Sequence, residues 1–164
     1  MSARDSTRRI TAELFFACIA GFFISYYAYT VENAKEKDEN YEALCDINEA
    51  ISCTKAFQSE YGKGFGLIPP SSPLYYQNPI YGLIFYTLLS MICLFDNFTS
   101  SITVISMGVA SNIASIYLAY ILYLLKTICL VCVTTYIVNI LITVLAIKKH
   151  KSLFSKDLHK KKIK

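Results

Sequence analysis

The chain has no Trp and only two His among its 164 residues, and neither His lies in the long polar stretch 32–78. A zinc site in that stretch would rest on Cys45 and Cys53 at a C-x7-C spacing, which is not the usual ligand pattern, so no metal is expected. Charge is scarce as well: 17% of residues are charged against 54% hydrophobic, with 13 Tyr and 10 Phe, a balance unlike that of a soluble enzyme. Glycine is also sparse, and three of the six, Gly62, Gly64 and Gly66, alternate with Lys63 and Phe65. A nucleotide-binding loop is excluded there, because no strand precedes it and Pro69-Pro70 prevent a phosphate-cradling helix from following. A loop that sits at a membrane surface and closes over a pocket suits these residues better.

What the chain does have is long apolar runs. A helix rising about 1.5 Å per residue needs about 20 residues to cross about 30 Å of hydrocarbon. Four stretches qualify, at about 10–31, 79–95, 102–125 and 128–147. Tyr26, Tyr27 and Tyr29 mark an aromatic belt at the far end of the first, and Pro79 suits the first turn of the second. Only Lys126 and Thr127 separate the last two, which must form a tight hairpin. Within lipid so small a chain satisfies its backbone only as helices. The expected architecture is therefore all-α and integral to a membrane: a four-transmembrane-helix bundle in a single domain over 1–164. A large loop, 32–78, joins the first two helices, and a basic tail follows at 148–164. Small residues of the third span, Gly108, Ala110, Ser111, Ala114 and Ser115, suit close helix packing. A cleaved signal peptide is a poor reading of the first run, despite Arg8 and Arg9 before it. The run is too long, and no A-x-A-like site follows it before Glu32.

Arg4, Arg8 and Arg9 at the start and the lysines of the tail place both termini in the cytosol and the 32–78 loop in the lumen. The net charge of +4 then reflects lipid headgroups rather than nucleic acid. The final Lys161-Lys162-Ile163-Lys164 has the form of a di-lysine retrieval signal, or equally of an ordinary basic tail, and both fit a multi-pass protein of the endoplasmic reticulum. The sequon Asn97-Phe98-Thr99 falls on the cytosolic side and is expected to stay unmodified.

Of six cysteines, Cys18 and Cys93 have apolar neighbours inside spans and read as small hydrophobes. Cys129 and Cys132 form a C-x-x-C at the start of the last span. On a helix the two share a face about 5–6 Å apart, near a positive helix end and Lys126, a setting that favours thiolate and disulfide chemistry. Packing cysteines are the alternative. Cys45 and Cys53 would lie about 12 Å apart on an unbroken helix, so the loop must bend if they pair. Such a pair is either a structural staple or a dithiol that exchanges with a third thiol.

In order, Tyr41-Glu42-Ala43-Leu44-Cys45-Asp46, Ala50-Ile51-Ser52-Cys53, Gly62-Lys63-Gly64-Phe65-Gly66-Leu67, Asn78-Pro79-Ile80-Tyr81-Gly82-Leu83-Ile84-Phe85-Tyr86 and Cys129-Leu130-Val131-Cys132-Val133-Thr134-Thr135-Tyr136 resemble the vitamin K epoxide reductases. The resemblance runs from the first span through the fourth. It implies an oxidoreductase that reduces vitamin K 2,3-epoxide, and the quinone to hydroquinone, in support of the vitamin K cycle for gamma-carboxylation. By the same resemblance Cys132 meets the quinone and Cys129 exchanges with the loop pair, most directly Cys53. Cys45 faces an external dithiol, a lumenal thioredoxin-like or protein disulfide isomerase-type reductant. The helix dipole alone favours a thiolate at Cys129 over Cys132, so activation of Cys132 would fall to substrate contact. Asn78 and Tyr136 are implied to hydrogen-bond the two quinone oxygens, with Phe57, Tyr61, Phe65, Tyr81, Phe85, Leu118 and Leu122 as apolar walls. Helix capping by Asn78 and simple packing by Tyr136 or the wall residues are the plainer alternatives. No tightly bound cofactor is implied; the quinone is substrate. Tyr61 stands where the family often has Trp, and the Lys126-Thr127 turn is a residue short.

Two rivals remain at this stage: a disulfide-generating quinone reductase, using the same thiols in the other direction, and a four-span scaffold with stapled loops.

Overall fold

The computed structural model describes the backbone of residues 3–162 and the surroundings of side chains 5–155, so the terminal Lys161-Lys162-Ile163-Lys164 motif falls partly outside the described residues. Its helices are α1 (Ala3–Lys37), α2 (Cys53–Phe57), α3 (Asn78–Ile92), α4 (Phe98–Leu124) and α5 (Leu130–Lys162), with one 3-10 turn at Gly64–Gly66. No strand occurs among the described residues, only isolated bridges. α1, α4 and α5 are long and apolar enough to cross a membrane. α3 is apolar but has 15 residues, about 22 Å of helix at the standard rise.

α1 outruns its apolar stretch at both ends, because charged residues continue a helix in water as readily as they end a span. α3 begins as Pro79 predicts, one residue inside the helix start. Asn97 caps α4 by accepting the Ser100 N–H at 2.7 Å, which gives the sequon asparagine a structural role.

The bundle is inverted relative to a soluble protein. Phe16, Phe23, Ile113, Ile116 and Ile137 are all more than 60% exposed on the outer faces, an apolar surface that only lipid would wet favourably. The chain is an all-α membrane protein. Inside, Leu14 and Cys18 of α1, Tyr86 and Leu89 of α3, Val104 of α4 and Ile142 of α5 form one core, joined by Cys93 just beyond α3. Gly21 exists to seat the Tyr86 ring, for any Cβ there would collide with it.

A polar seam runs through this core. Tyr86 donates to Asn139 Oδ1 at 2.7 Å, Asn139 Nδ2 donates to Ser115 Oγ at 2.9 Å, and Asn112 Nδ2 donates to Thr143 Oγ1 at 2.8 Å. These bonds tie α3, α4 and α5 where hydrophobicity alone gives no preference for protein over lipid. Gly108 packs on Thr143, whereas Ala110, Ser111, Ala114 and Ser115 face a cavity, so the small residues of α4 make room as well as contact.

At the other end of the bundle Lys149, 2% exposed, donates to Cys93 O at 2.5 Å and Phe95 O at 3.1 Å and pairs with Asp96 at 3.0 Å. Carbonyls at a helix C-terminus lack intrahelical partners, and the ammonium supplies one from a neighbouring helix. Lys149→Met unpairs both carbonyls and is expected to lower stability by about 2 kcal/mol or more. Thermal unfolding of the detergent-solubilised protein measures it, and an unchanged midpoint would refute the role.

α1 packs against α3 and α5, and α4 against α5, while α3 and α4 touch only sparingly. That leaves a space between α3 and α4, roofed by the 38–77 loop. Lys63 and Gln77 bridge across the loop, with Gly64 N donating to Tyr76 O and Asn78 N to Gly62 O.

Candidate active site

Cys45 and Cys53 form a disulfide with Cα atoms 5.7 Å apart, so the loop bends as the spacing required. Two tight turns produce the bend: Asp46 N donates to Ala43 O, and Ile47 N to Ile51 O. The Asp46 carboxylate fastens both. Oδ2 accepts the Ala43 N–H at 2.8 Å and the Thr54 hydroxyl at 2.9 Å, while Oδ1 accepts the Ser52 hydroxyl at 2.7 Å and the Thr54 N–H at 3.1 Å. Burial pushes this carboxyl up, but the Ala43 amide, the Ser52 hydroxyl and both Thr54 donors outweigh it and hold Asp46 below the usual carboxylate range. A depressed folded value means the tie is intact above the unfolded carboxyl range, about 3.9, and is lost as pH falls through the lower folded value. Hydrogen-exchange protection of the Thr54 amide should hold from neutral pH to about 4 and fall only below that range. Asp46→Ala should remove it at every pH, and survival of protection in that variant would exclude the carboxylate as fastener.

The C-x-x-C is not wholly helical, which corrects the expectation that both cysteines share one helix face. α5 starts at Leu130, and Cys129 sits just before it with its sulfur accepting the Cys132 N–H at 3.2 Å. Cys129 thus caps the helix in the manner of a serine.

The loop reaches this point through its backbone. Ile128 N donates to Ala50 O at 2.7 Å, Ser52 N donates to Ile128 O at 3.1 Å, and Ile51 pairs with Ile128 as an isolated parallel bridge. Residues next in sequence on each side are Cys53 and Cys129, and both enter one buried cluster with Cys45, Ala28, Val31 and Phe57, against which Cys132 packs. Both dithiols therefore lie at the same end of the bundle.

Cys132 opens on a mostly apolar cavity of about 400 Å³. All nine residues expected around a quinone, Asn78, Tyr136, Phe57, Tyr61, Phe65, Tyr81, Phe85, Leu118 and Leu122, line it. Cys129, Cys45 and Cys53 lie outside the lining. The Tyr136 hydroxyl is buried and has no hydrogen-bond partner among the described residues. An unpaired buried hydroxyl costs free energy, and this one belongs to a residue of the cavity lining.

Asn78 is not the α3 cap; Gln77 holds that position. The Asn78 carboxamide instead frames the loop, with Oδ1 accepting the Phe65 N–H at 2.8 Å and Nδ2 donating to Tyr61 O at 2.6 Å. One N–H and one lone pair stay free for a ligand. Phe65 needs such support, because its φ of 57° is left-handed and strained for a residue with a Cβ, unlike flanking Gly64 and Gly66 at 55° and 69°. Tyr117 adds a hydrogen bond to Phe65 O at 3.2 Å, and Tyr81 adds ring contact.

The Vitamin K epoxide reductase family model matches residues 13–147. The chain belongs to the vitamin K epoxide reductase family. It is 42% identical over 138 residues to vitamin K epoxide reductase complex subunit 1 of Mus musculus, covering 80% of this chain and 85% of that protein. Identity to the protein of the same name from Rattus norvegicus is 39% over 137 residues, with the same coverage. Within this vitamin K epoxide reductase family member, sequence reasoning missed Tyr117, which bonds the strained loop residue, and Asn139, which lines the cavity floor beside Tyr86 and Ser115. Asn139 carried a usable signal: a carboxamide in mid-span is costly unless partnered.

Proposed function

We propose that this chain reduces vitamin K 2,3-epoxide to the quinone, and the quinone to hydroquinone, with electrons passed through its four site cysteines. One observation carries the reading: Cys132 faces a greasy cavity with an unpartnered Tyr136 hydroxyl, while Cys129 behind it shares a cluster with the Cys45–Cys53 disulfide. Of the four sulfurs, that of Cys132 belongs to the cavity lining, and the Cys45–Cys53 pair lies behind Cys129. In the proposed cycle the Cys132 sulfur attacks an epoxide carbon, the C–O bond opens, and the oxygen is stabilised by Tyr136 and the free N–H of Asn78. Cys129 then attacks Cys132 sulfur, forming the 129–132 disulfide as the carbon leaves with its electron pair and the oxygen departs as water. Balance is kept: epoxide and two thiols give quinone, water and one disulfide. The loop dithiol regenerates the pair through a Cys53–Cys129 mixed disulfide, and an external dithiol protein reduces the loop through Cys45.

The membrane setting belongs to the same proposal. α3 crosses with α1, α4 and α5 as a fourth, shorter span of one domain, both termini are cytosolic, and the loop is in the lumen of the endoplasmic reticulum. The shared end of the two dithiols supports that topology, because electrons pass between pairs only on one side.

The test is purified protein given vitamin K epoxide and dithiothreitol, with quinone and hydroquinone the expected products. If only the reverse current is seen, thiols oxidised at the expense of quinone, the disulfide-generating reading takes its place. Mapping mixed disulfides checks the relay separately: a Cys53–Cys129 link is expected in a Cys132→Ala background.

A further inference from the structure

The two halves of the disulfide differ in how near they lie to solvent. Cys53 is 0% exposed and Cys45 7%, so Cys45 is the half that an incoming thiolate approaches first. Around Cys45 the surface is unusual. Leu44 before it is 93% exposed and Ile47 after it 63%, and both belong to the loop rather than to the lipid-facing helices. The display is rigid, since the Ala43–Asp46 and Asn48–Ile51 turns fix the backbone on either side. The charge is lopsided too. Residues 38–60 carry six Asp or Glu against the single Lys55, in a chain whose net charge is +4. Glu39, Glu42 and Glu49 are exposed, and none of their carboxylates forms an ion pair among the described residues.

We infer that Leu44 and Ile47, with the exposed carboxylates of Glu39, Glu42 and Glu49 on the same stretch of loop, form the docking surface for the protein that reduces this enzyme. Its chemistry is that of a soluble thioredoxin-fold dithiol with an apolar groove beside its reactive thiol and a basic rim. A bilayer is the poorer occupant for two exposed aliphatic side chains here, because unpaired carboxylates gain nothing from a phosphate headgroup surface. Docking serves a defined exchange. The partner thiolate attacks Cys45 sulfur, the Cys45–Cys53 bond breaks, and Cys53 leaves as a thiolate. The partner's second thiolate then releases Cys45 and leaves with the partner's own disulfide, so two electrons enter the loop. Apolar contact sets affinity, and the exposed carboxylates set encounter rate.

The inference rests on the proposed direction of electron flow, and the assay keeps the two apart by reading loop-disulfide reduction directly, through alkylation and mass spectrometry, beside epoxide turnover. Full-length protein in nanodiscs is reduced either by dithiothreitol, which needs no docking, or by thioredoxin carrying lysine or glutamate at engineered rim positions. Leu44→Ser should slow thioredoxin-driven reduction about tenfold or more and leave the dithiothreitol rate unchanged. E39K/E42K/E49K should reverse the preference between the two thioredoxins and flatten the salt dependence. Equal thioredoxin rates for native and Leu44→Ser protein overturn the inference. So does equal slowing with both reductants, the result expected of a lipid-seated loop, and so does failure of either thioredoxin to reduce the native loop. Loop reduction without epoxide turnover would remove the activity reading and leave the docking surface standing.

Discussion

Cys132→Ser is expected to reduce dithiothreitol-driven epoxide turnover by about a thousandfold or more, with little change in thermal stability. The rate loss follows from chemistry: a hydroxyl in an apolar cavity has no thiolate form to attack an epoxide carbon and cannot end in a disulfide with Cys129. The neutral stability follows from packing, since serine is slightly smaller, the residue borders a cavity, and the helix-capping contact to Cys129 uses the backbone N–H of residue 132 rather than its side chain. The Cys45–Cys53 disulfide should still be reducible in this variant. Turnover above about one tenth of native would exclude Cys132 as the attacking group.

Tyr136→Phe should divide activity from stability even more cleanly. Deleting a buried hydroxyl usually destabilises, because its partner is stranded; here the described structure offers no partner, so removal should be neutral or mildly stabilising. Turnover should fall about a hundredfold or more, the usual effect of losing one donor to a developing oxyanion. Parallel measurement of kcat, KM and the thermal midpoint decides it. A lowered midpoint with native kcat would mean that the hydroxyl serves the fold and not the substrate.

The long helices were legible because apolar runs of span length leave the backbone little choice, and Phe65, Tyr81 and Phe85, which line the cavity, stood out because they sit in motifs whose order is distinctive. The pairing of Ile51 with Ile128 was not legible, since it is made by backbone groups that every residue carries. Cys129 looked helical because hydrophobicity runs straight through Ile128 and Cys129 into α5, and the one residue of a capping type, Thr127, stands before Ile128 and so two positions ahead of the true cap. Asn78 looked like a cap because Pro79 follows it. Gln77 took that place, and the carboxamide was drawn to unpaired backbone of the loop. Nothing in the identity of Phe65 signals a left-handed backbone; its two glycine neighbours hint at it, and only the anchoring groups of α3 and α4 make it tenable.

That anchoring changes how genetics at Asn78 must be interpreted. One carboxamide braces an otherwise unfavourable turn and, in the proposed cycle, also offers its last free N–H to the substrate oxygen, so a substitution there would perturb the shape of the chamber along with its recognition. Aspartate retains the acceptor for the Phe65 amide but loses the donor to Tyr61 O together with the free N–H, so neither it nor alanine parts the two jobs, and activity lost at this position has to be read beside a direct probe of the loop's shape.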